Sequence, residues 1–211
     1  MPTKEGLIKD WISSGTIKDK KVIEAFRKIP REEFIEKSRR EESYGDYPLP
    51  IGEGQTISQP TTVAIMTQAL ELNEGHKVLE VGSGSGYQAA IIAEITGPEG
   101  KVITTEIVPE LAELAQNNIK KIGLKNVEIL LHDGSKGYAK EAPYDRILVA
   151  AASPKIPKPL IDQLKEDGII IIPVGNMLEQ AMIKGRKKNG KLVEERLGDF
   201  VFVPLKGKYG Y

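Results

Sequence analysis

Apolar and polar positions along this chain repeat with more than one period. Leu7, Ile8, Trp11 and Ile12 recur at helical spacing, and so do Val22, Ala25, Phe26 and Ile29. Each set lays an apolar stripe along one helix face, and Trp11 is read as part of that packing. Pro30 breaks the second stripe, and Arg31 to Lys37 predicts one more short helix, so residues 1–37 read as helical. Between residues 38 and 59 periodicity is lost and turn formers accumulate. A loop of that length inside a compact chain is functional or mobile. Pro60 suits the first position of a helix, which Val63, Ala64, Met66, Thr67 and Leu70 continue.

From His76 the pattern alternates. Strand 76–81 leads to helix 85–96, and strand 101–106 leads to a helix from Pro109. Strands 127–131 and 144–150 follow. A helix near Pro157 and Pro159 runs through Leu160, Ile161 and Leu164 and is stopped by Gly168. Ile169 to Ile172 then reads as a fully buried strand. Repeated β-α units predict an α/β fold with a doubly wound, mostly parallel sheet. Three further strand-like pieces, 178–184, 191–197 and 200–205, close the chain as an antiparallel extension. Lys187-Lys188-Asn189-Gly190 predicts a hairpin turn whose lysines are solvated. The expected organisation is one domain, 1–211, made of N-terminal helices and loop (1–59), a core (60–175) and a β extension (176–211).

Composition narrows the chemistry. The 211 residues carry no net formal charge, which disfavours nucleic acid and anionic membranes as partners. No apolar run approaches the ~20 residues of a membrane span, and Met1 to Gly6 lacks the apolar centre of a signal peptide. A cytoplasmic protein, as a monomer, is expected. There is no cysteine, which removes disulfides, thiolate nucleophiles and cysteine-held metals. The two histidines, His76 and His132, lie far apart, so no metal site is expected, and His132 is read as structural.

Candidate chemistry gathers in Glu80-Val81-Gly82-Ser83-Gly84-Ser85-Gly86-Tyr87. An apolar strand ends there in three glycines and a helix begins, which presents free N–H groups to a ligand. A dinucleotide fingerprint needs glycine where Tyr87 stands. The pattern Glu-x-Gly-x-Gly-x-Gly instead resembles the first motif of S-adenosylmethionine-dependent methyltransferases. Glu106 ends the next strand, 20 residues past Gly86, where a carboxylate can accept from ribose hydroxyls. Asp133 and Gly134 end the third strand, at the side where open α/β sheets bind ligands. Ser58 precedes the helix from Pro60, where it could cap the helix or meet an anion.

The segment Tyr47-Pro48-Leu49-Pro50-Ile51-Gly52-Glu53-Gly54-Gln55-Thr56-Ile57-Ser58-Gln59-Pro60 closely resembles a signature of protein-L-isoaspartate O-methyltransferases. Asp133 to Gly137, Ala142 to Asp145, Ala151 to Pro157 and Phe202-Val203-Pro204-Leu205 agree with that family, and the likeness runs from about residue 20 to the C-terminus. The resemblance implies methylation of the free α-carboxylate of L-isoaspartyl residues in damaged proteins and peptides. The ester then re-forms a succinimide, which begins repair. S-adenosyl-L-methionine is the implied cofactor and S-adenosyl-L-homocysteine its product, on a Rossmann-like methyltransferase fold.

Carried over residue by residue, Ser58 orients the substrate carboxylate, and Gln55, Thr56 and Ile57 line its pocket. Val203 contacts the isoaspartyl segment through its backbone. Gly82, Ser83 and Gly84 approach the methionine part of the cofactor, and Glu80 receives its ammonium, directly or through water. Glu106 holds the ribose, while Asp133 and Gly134 read the adenine edge. Lys206 stands where the family often has a small polar residue, which leaves that contact open. An α-carboxylate is ionised at neutral pH, its pKa being about 3.3–3.7, so no general base is expected. A different methyltransferase, acting on RNA, DNA or a small molecule, is the first rival. The turn Ala150-Ala151-Ala152-Ser153-Pro154 lacks the Asn/Asp-Pro-Pro-aromatic motif of amino-directed enzymes. A module that binds without methyl transfer is the second.

Overall fold

The computed structural model describes residues 2–176 and 178–211. The two apolar stripes form helices α1 (Lys4–Ser14) and α2 (Lys20–Lys28). The Thr3 hydroxyl accepts from the Gly6 N–H, and the Asp19 carboxylate accepts from that of Lys21. Trp11 is buried and meets Phe26 edge-to-face at 5.0 Å. Beyond Pro30 two short 3-10 turns, Arg31–Phe34 and Lys37–Glu42, stand in place of a further α-helix.

The stretch read as a loop contains a small hairpin. Strands β1 (Leu49–Gly52) and β2 (Gln55–Ile57) pair antiparallel, with Leu49 opposite Ile57. Leu49, Ile51 and Ile57 point into the core. Glu53 and Gly54 make the turn at φ +51° and +66°, which suits a two-residue hairpin. Strands this short leave no periodic signature.

The remainder builds one seven-stranded sheet. Its elements are α3 (Pro60–Ala69), β3 (Lys77–Val81), α4 (Tyr87–Thr96), β4 (Lys101–Glu106) and α5 (Pro109–Ile122). After them come β5 (Val127–Leu131), β6 (Tyr144–Val149), α6 (Lys158–Gln163), β7 (Leu164–Gly175), β8 (Gln180–Lys188) and β9 (Lys191–Phe200). The strand order is β5-β4-β3-β6-β7-β8-β9. Pairing is parallel through β7 and antiparallel from β7 to β9. Alternate residues serve opposite faces. Val78, Val102, Leu148 and Ile171 pack with α3 and α4, whereas Leu79, Ile103, Ile147 and Ile170 pack with Leu160 of α6. The N-terminal helices cover α4 and α5 through Phe26, Tyr87, Ile91 and Leu111.

Three expectations for the C-terminal part are corrected. Helix α6 ends at Gln163, and β7 already begins at Leu164, which pairs with Tyr144. Gly168 therefore lies inside a strand. The stretch 200–205 is not a third strand. Phe200 ends β9, and beyond it Pro204 forms a lone parallel bridge with Ala152, since proline has no N–H to extend a ladder. Of the turn lysines, Lys188 is exposed as expected and pairs with Asp167 at the surface, but Lys187 is turned inward and donates to the Ile161 and Leu164 carbonyls at 2.8 Å each.

Strand β3 lies between β4 and β6, so the chain leaves it in both directions. The crevice at such a reversal, past the C-terminal ends of the strands, is where open α/β sheets bind ligands.

Candidate active site

Residues 82–86 connect β3 to α4 across that crevice. Gly82, Gly84 and Gly86 all have positive φ, at +93°, +50° and +87°. Gly86 is the N-cap of α4, and a Cβ there would stand 3.4 Å from the Ala115 backbone. The loop is held from the neighbouring strand. Gly82 and Ser83 donate their N–H groups to the Thr105 carbonyl at 2.8 and 3.2 Å. Gly84 donates to Glu106 Oε2 at 3.0 Å, while Glu106 Oε1 accepts from Ile107 and Val108 at 2.8 and 3.1 Å. Each carboxylate oxygen has two lone pairs, so Oε2 keeps capacity for a further donor. Glu106 thus organises the glycine loop and also faces the cavity beside it.

Gly82, Ser83, Gly84, Glu106 and Gly134 all line this cavity. Ser83 is buried, and its hydroxyl has no partner among the described residues. A buried orphan hydroxyl is costly unless a ligand reaches it. At Gly134 a Cβ would come within 2.5 Å of Val81 Cγ1, so only glycine lets the wall close there.

Two of the expected cofactor residues do not line the cavity. Glu80 is fully buried behind the loop, absent from the cavity wall, and neither carboxylate oxygen has a hydrogen-bond partner. Burial pushes its carboxyl up to about 8; the nearby Thr104 hydroxyl pulls the other way, and the charge of Glu106 adds to the rise. Asp133 is committed elsewhere. Its Oδ1 accepts from Ser135 N and Oγ at 3.1 and 2.6 Å, and its Oδ2 accepts from Lys208 N at 3.0 Å. These bonds, with Lys136, hold its carboxyl below the usual range against the opposing effect of burial. It ties the C-terminal tail down beside the cavity instead of lining it.

Gln55, Thr56, Ile57 and Ser58 form the opposite wall, from β2 and the link into α3. Beyond them a second hollow runs as a groove between α3 and the segment after β9, with Ile65, Val174, Phe200 and Phe202 along it. Cavity and groove share Thr56, Ser58, Ala150, Val203 and Pro204. No side chain in this shared wall is acidic or basic. Ser58 does not cap α3. Gln59 is the N-cap residue without a side-chain bond, and Asp46 accepts from the Thr61 N–H at 2.9 Å. The Ser58 hydroxyl has no hydrogen bond among the described residues.

Sequence reasoning overlooked other wall residues. Ile107 is 40 % exposed beside Glu106, and Gln88, held by Thr67 at 2.9 Å, lies under the loop. His132, read as structural, is also on the wall, as is Lys206, whose contact the sequence left open. Ile107 and His132 follow the ends of β4 and β5, a position signal that could have found them.

A family model described as protein-L-isoaspartate(D-aspartate) O-methyltransferase matches residues 2–210. A protein-L-isoaspartate O-methyltransferase 2 of Archaeoglobus fulgidus is 54% identical over 192 residues, covering 91% of this chain and 88% of that protein. A protein-L-isoaspartate O-methyltransferase of Methanopyrus kandleri is 49% identical over 210 residues, covering 99% and 93%. Among solved structures, a protein-L-isoaspartate O-methyltransferase superposes with a TM-score of 0.90 at 32% identity, covering 99% of this chain and 67% of that one. A Plasmodium falciparum protein of the same enzyme class, solved in complex with S-adenosyl-L-homocysteine, superposes at 0.86 with 29% identity, covering 98% and 99%.

Proposed function

The chain belongs to the protein-L-isoaspartate(D-aspartate) O-methyltransferase family, and from that premise we propose how its residues divide the work. The reaction is transfer of a methyl group from S-adenosyl-L-methionine to isoaspartyl residues of proteins and peptides. When bound, the cofactor supplies an activated sulfonium methyl for in-line attack by the substrate's α-carboxylate.

The residues present fit such a cofactor. The positive-φ glycines and the orphan Ser83 hydroxyl suit its methionine part. Glu106 Oε2 suits a ribose hydroxyl, and the apolar Ile107 face with the close wall at Gly134 suits the base. Glu80 and Asp133 act behind the wall, the first under the glycine loop and the second as the anchor of the tail.

The observation that carries the reading is the shared wall of cavity and groove. Ser58, with an uncommitted hydroxyl, lines both hollows, which supports reading it as the point where a carboxylate in the groove meets the methyl end of a ligand in the cavity. It donates one hydrogen bond to that carboxylate and orients it. Gln55, Thr56 and Ile57 shape the pocket, and the Val203 backbone meets the substrate chain. Nothing needs to take a proton, because the carboxylate is ionised already. Positioning alone can contribute up to roughly 7–11 kcal/mol. We read the protein as a cytoplasmic monomer without nucleic-acid or membrane partners. No described helix is long and apolar enough to cross a membrane.

The test uses two synthetic peptides identical except for L-isoaspartate or L-aspartate at one site, each incubated with methyl-labelled S-adenosylmethionine. Base-labile methyl ester should form on the isoaspartyl peptide alone. Equal label on both, or label on neither with cofactor bound, would overturn the assignment.

A further inference from the structure

The segment that carries Val203 has no strand beside it on one edge, yet it is held straight. Beyond Phe200 the chain leaves β9; Leu205 is buried in the core and accepts from the Tyr211 N–H at 2.8 Å, and two further attachments fix the backbone of residues 202–205. On one edge Ala152 donates to the Val203 carbonyl at 2.8 Å and accepts from the Leu205 N–H at 2.7 Å. On the other edge a single side chain takes the place of a strand. Gln180 Nε2 donates to the Phe202 carbonyl at 3.0 Å, and Gln180 Oε1 accepts from the Phe202 N–H at 2.7 Å. An amide side chain offers one donor and one acceptor side by side, as a backbone peptide does. It therefore reproduces a bidentate pairing with the one residue that lies between Val201 and Val203.

Gln180 is well suited to that task. It is the first residue of β8, only 5% exposed, and its own backbone pairs with Phe200 of β9 and Gly175 of β7. The clamp is thus bolted to the sheet on both sides. With Phe202 fixed in both backbone groups, the alternation of an extended chain turns the Val203 N–H away from Gln180. That N–H makes no hydrogen bond among the described residues, and Val203 belongs to both the cavity and the groove. Val201, 84% exposed, stands one pleat away on the groove.

We propose that Gln180 is a positioning residue for the substrate. It holds residues 201–203 as a rigid half-strand, so that the Val203 N–H is presented to a carbonyl of the isoaspartyl polypeptide in the groove. Gln180 itself lies along the groove, but the role assigned to it is exerted through Phe202. This rests on the reading of the groove as the substrate site. It goes beyond it by assigning recognition of the substrate main chain to a side chain outside the wall nearest Ser58. Main-chain pairing of this kind gives affinity without regard to the substrate's side chains, as an enzyme acting on many damaged sequences needs.

The experiment compares wild type with Gln180→Met, which removes both bonds at similar volume, and Gln180→Glu, which keeps only the acceptor when ionised. KM and kcat are measured with an isoaspartyl peptide, and the dissociation constant of S-adenosyl-L-homocysteine is measured by calorimetry. Gln180→Met should raise the peptide KM roughly tenfold, the loss of about one to two hydrogen bonds. Its kcat and cofactor affinity should stay within about twofold of wild type. Gln180→Glu should show a KM that falls toward wild type between pH 8 and pH 5.5, since a protonated carboxyl again donates to the Phe202 carbonyl. If Gln180→Met cannot be purified folded, the pH profile of Gln180→Glu decides alone. An unchanged peptide KM in either variant at pH 8 overturns the proposal, and so does a matching loss of cofactor affinity. Absence of methyl ester on the peptide with the wild-type protein would instead defeat the reading of the groove.

Discussion

At the scale of single residues, the site separates groups that face a ligand from groups that hold those groups. Ser58 lines both the cavity and the groove, its hydroxyl without a partner among the described residues, and we propose that it faces the substrate. A hydrogen bond to a charged partner contributes roughly 1.5–3 kcal/mol. Ser58→Ala should therefore lower turnover at least about tenfold and leave S-adenosyl-L-homocysteine affinity unchanged. Calorimetry on the variant that shows a large loss of cofactor binding would refute the assignment. Glu80 is on the holding side. Its folded-state carboxyl sits at about 8, against an ordinary value of 4.5. Below pH 4.5 it is neutral whether the chain is folded or not. As pH rises toward 8 the unfolded chain ionises first, so this group's share of stability is lost across that window and levels off above it. Glu80→Gln has no such dependence. Its melting temperature should match wild type near pH 5 and exceed it at pH 8–9, with cofactor affinity within about threefold. A collapse in cofactor affinity would restore the ammonium contact.

At the scale of elements, the site depends on how one short helix is started. Helix α3 follows Ser58, and Pro60 at its first position fixes φ without supplying a cap. The missing cap comes from 15 residues upstream. Asp46 accepts from the Thr61 N–H at 2.9 Å and from its hydroxyl at 2.7 Å, and that hydroxyl accepts from Trp11 Nε1 at 2.7 Å. Helix α1, the segment before the hairpin and α3 are thereby joined at one point, and Ser58 stands three residues from it. Replacing a helix cap by alanine costs about 0.5–2 kcal/mol. Asp46→Ala should lose that much in urea denaturation and should also raise the peptide KM, because the Ser58 link is no longer anchored. A destabilised variant with unaltered KM would show that the anchor serves stability alone.

At the scale of the whole molecule, the cofactor side is a sheet edge and the substrate side is a set of additions. The glycine loop, Glu106 and Gly134 all lie at or just past the C-terminal ends of β3, β4 and β5. The hairpin and the segment after β9, by contrast, arrive from opposite ends of the chain. Both are packed on the same core, since Ile51 and Ile57 join the N-terminal cluster and Leu205 joins the cluster under β6 and β7. We therefore expect one cooperative unfolding transition, with residues 1–59 and 176–211 inseparable from the core. S-adenosyl-L-homocysteine at a hundred times its dissociation constant stabilises a folded state by about 2.7 kcal/mol. In a chain of this length that should raise the melting temperature by about 5–10 °C. A two-step melt, with only one step shifted by the ligand, would divide the molecule differently.

The linear chain by itself determined the α/β class, the strand–glycine–helix turn at residues 81–87 and the acid at the end of β4. These are local signals: period, turn chemistry and a fixed interval along one β-α unit. Ser58 was legible as a candidate from its place before α3, but its role, and Thr56 and Val203 altogether, came only through resemblance, because nothing in their own spacing says that residues 145 positions apart share a wall. What the tertiary structure alone decided is which side of the wall each group faces. Glu80 and Asp133 have the right types at the right places, yet one is sealed behind the loop and the other is turned to the tail. Burial and hydrogen-bond partners come from elements distant in sequence, and no periodicity encodes them. The same holds for the gains. Asp46 capping α3, and Gln180 standing in for a strand beside Phe202, exist only where separate segments are brought to hydrogen-bonding distance.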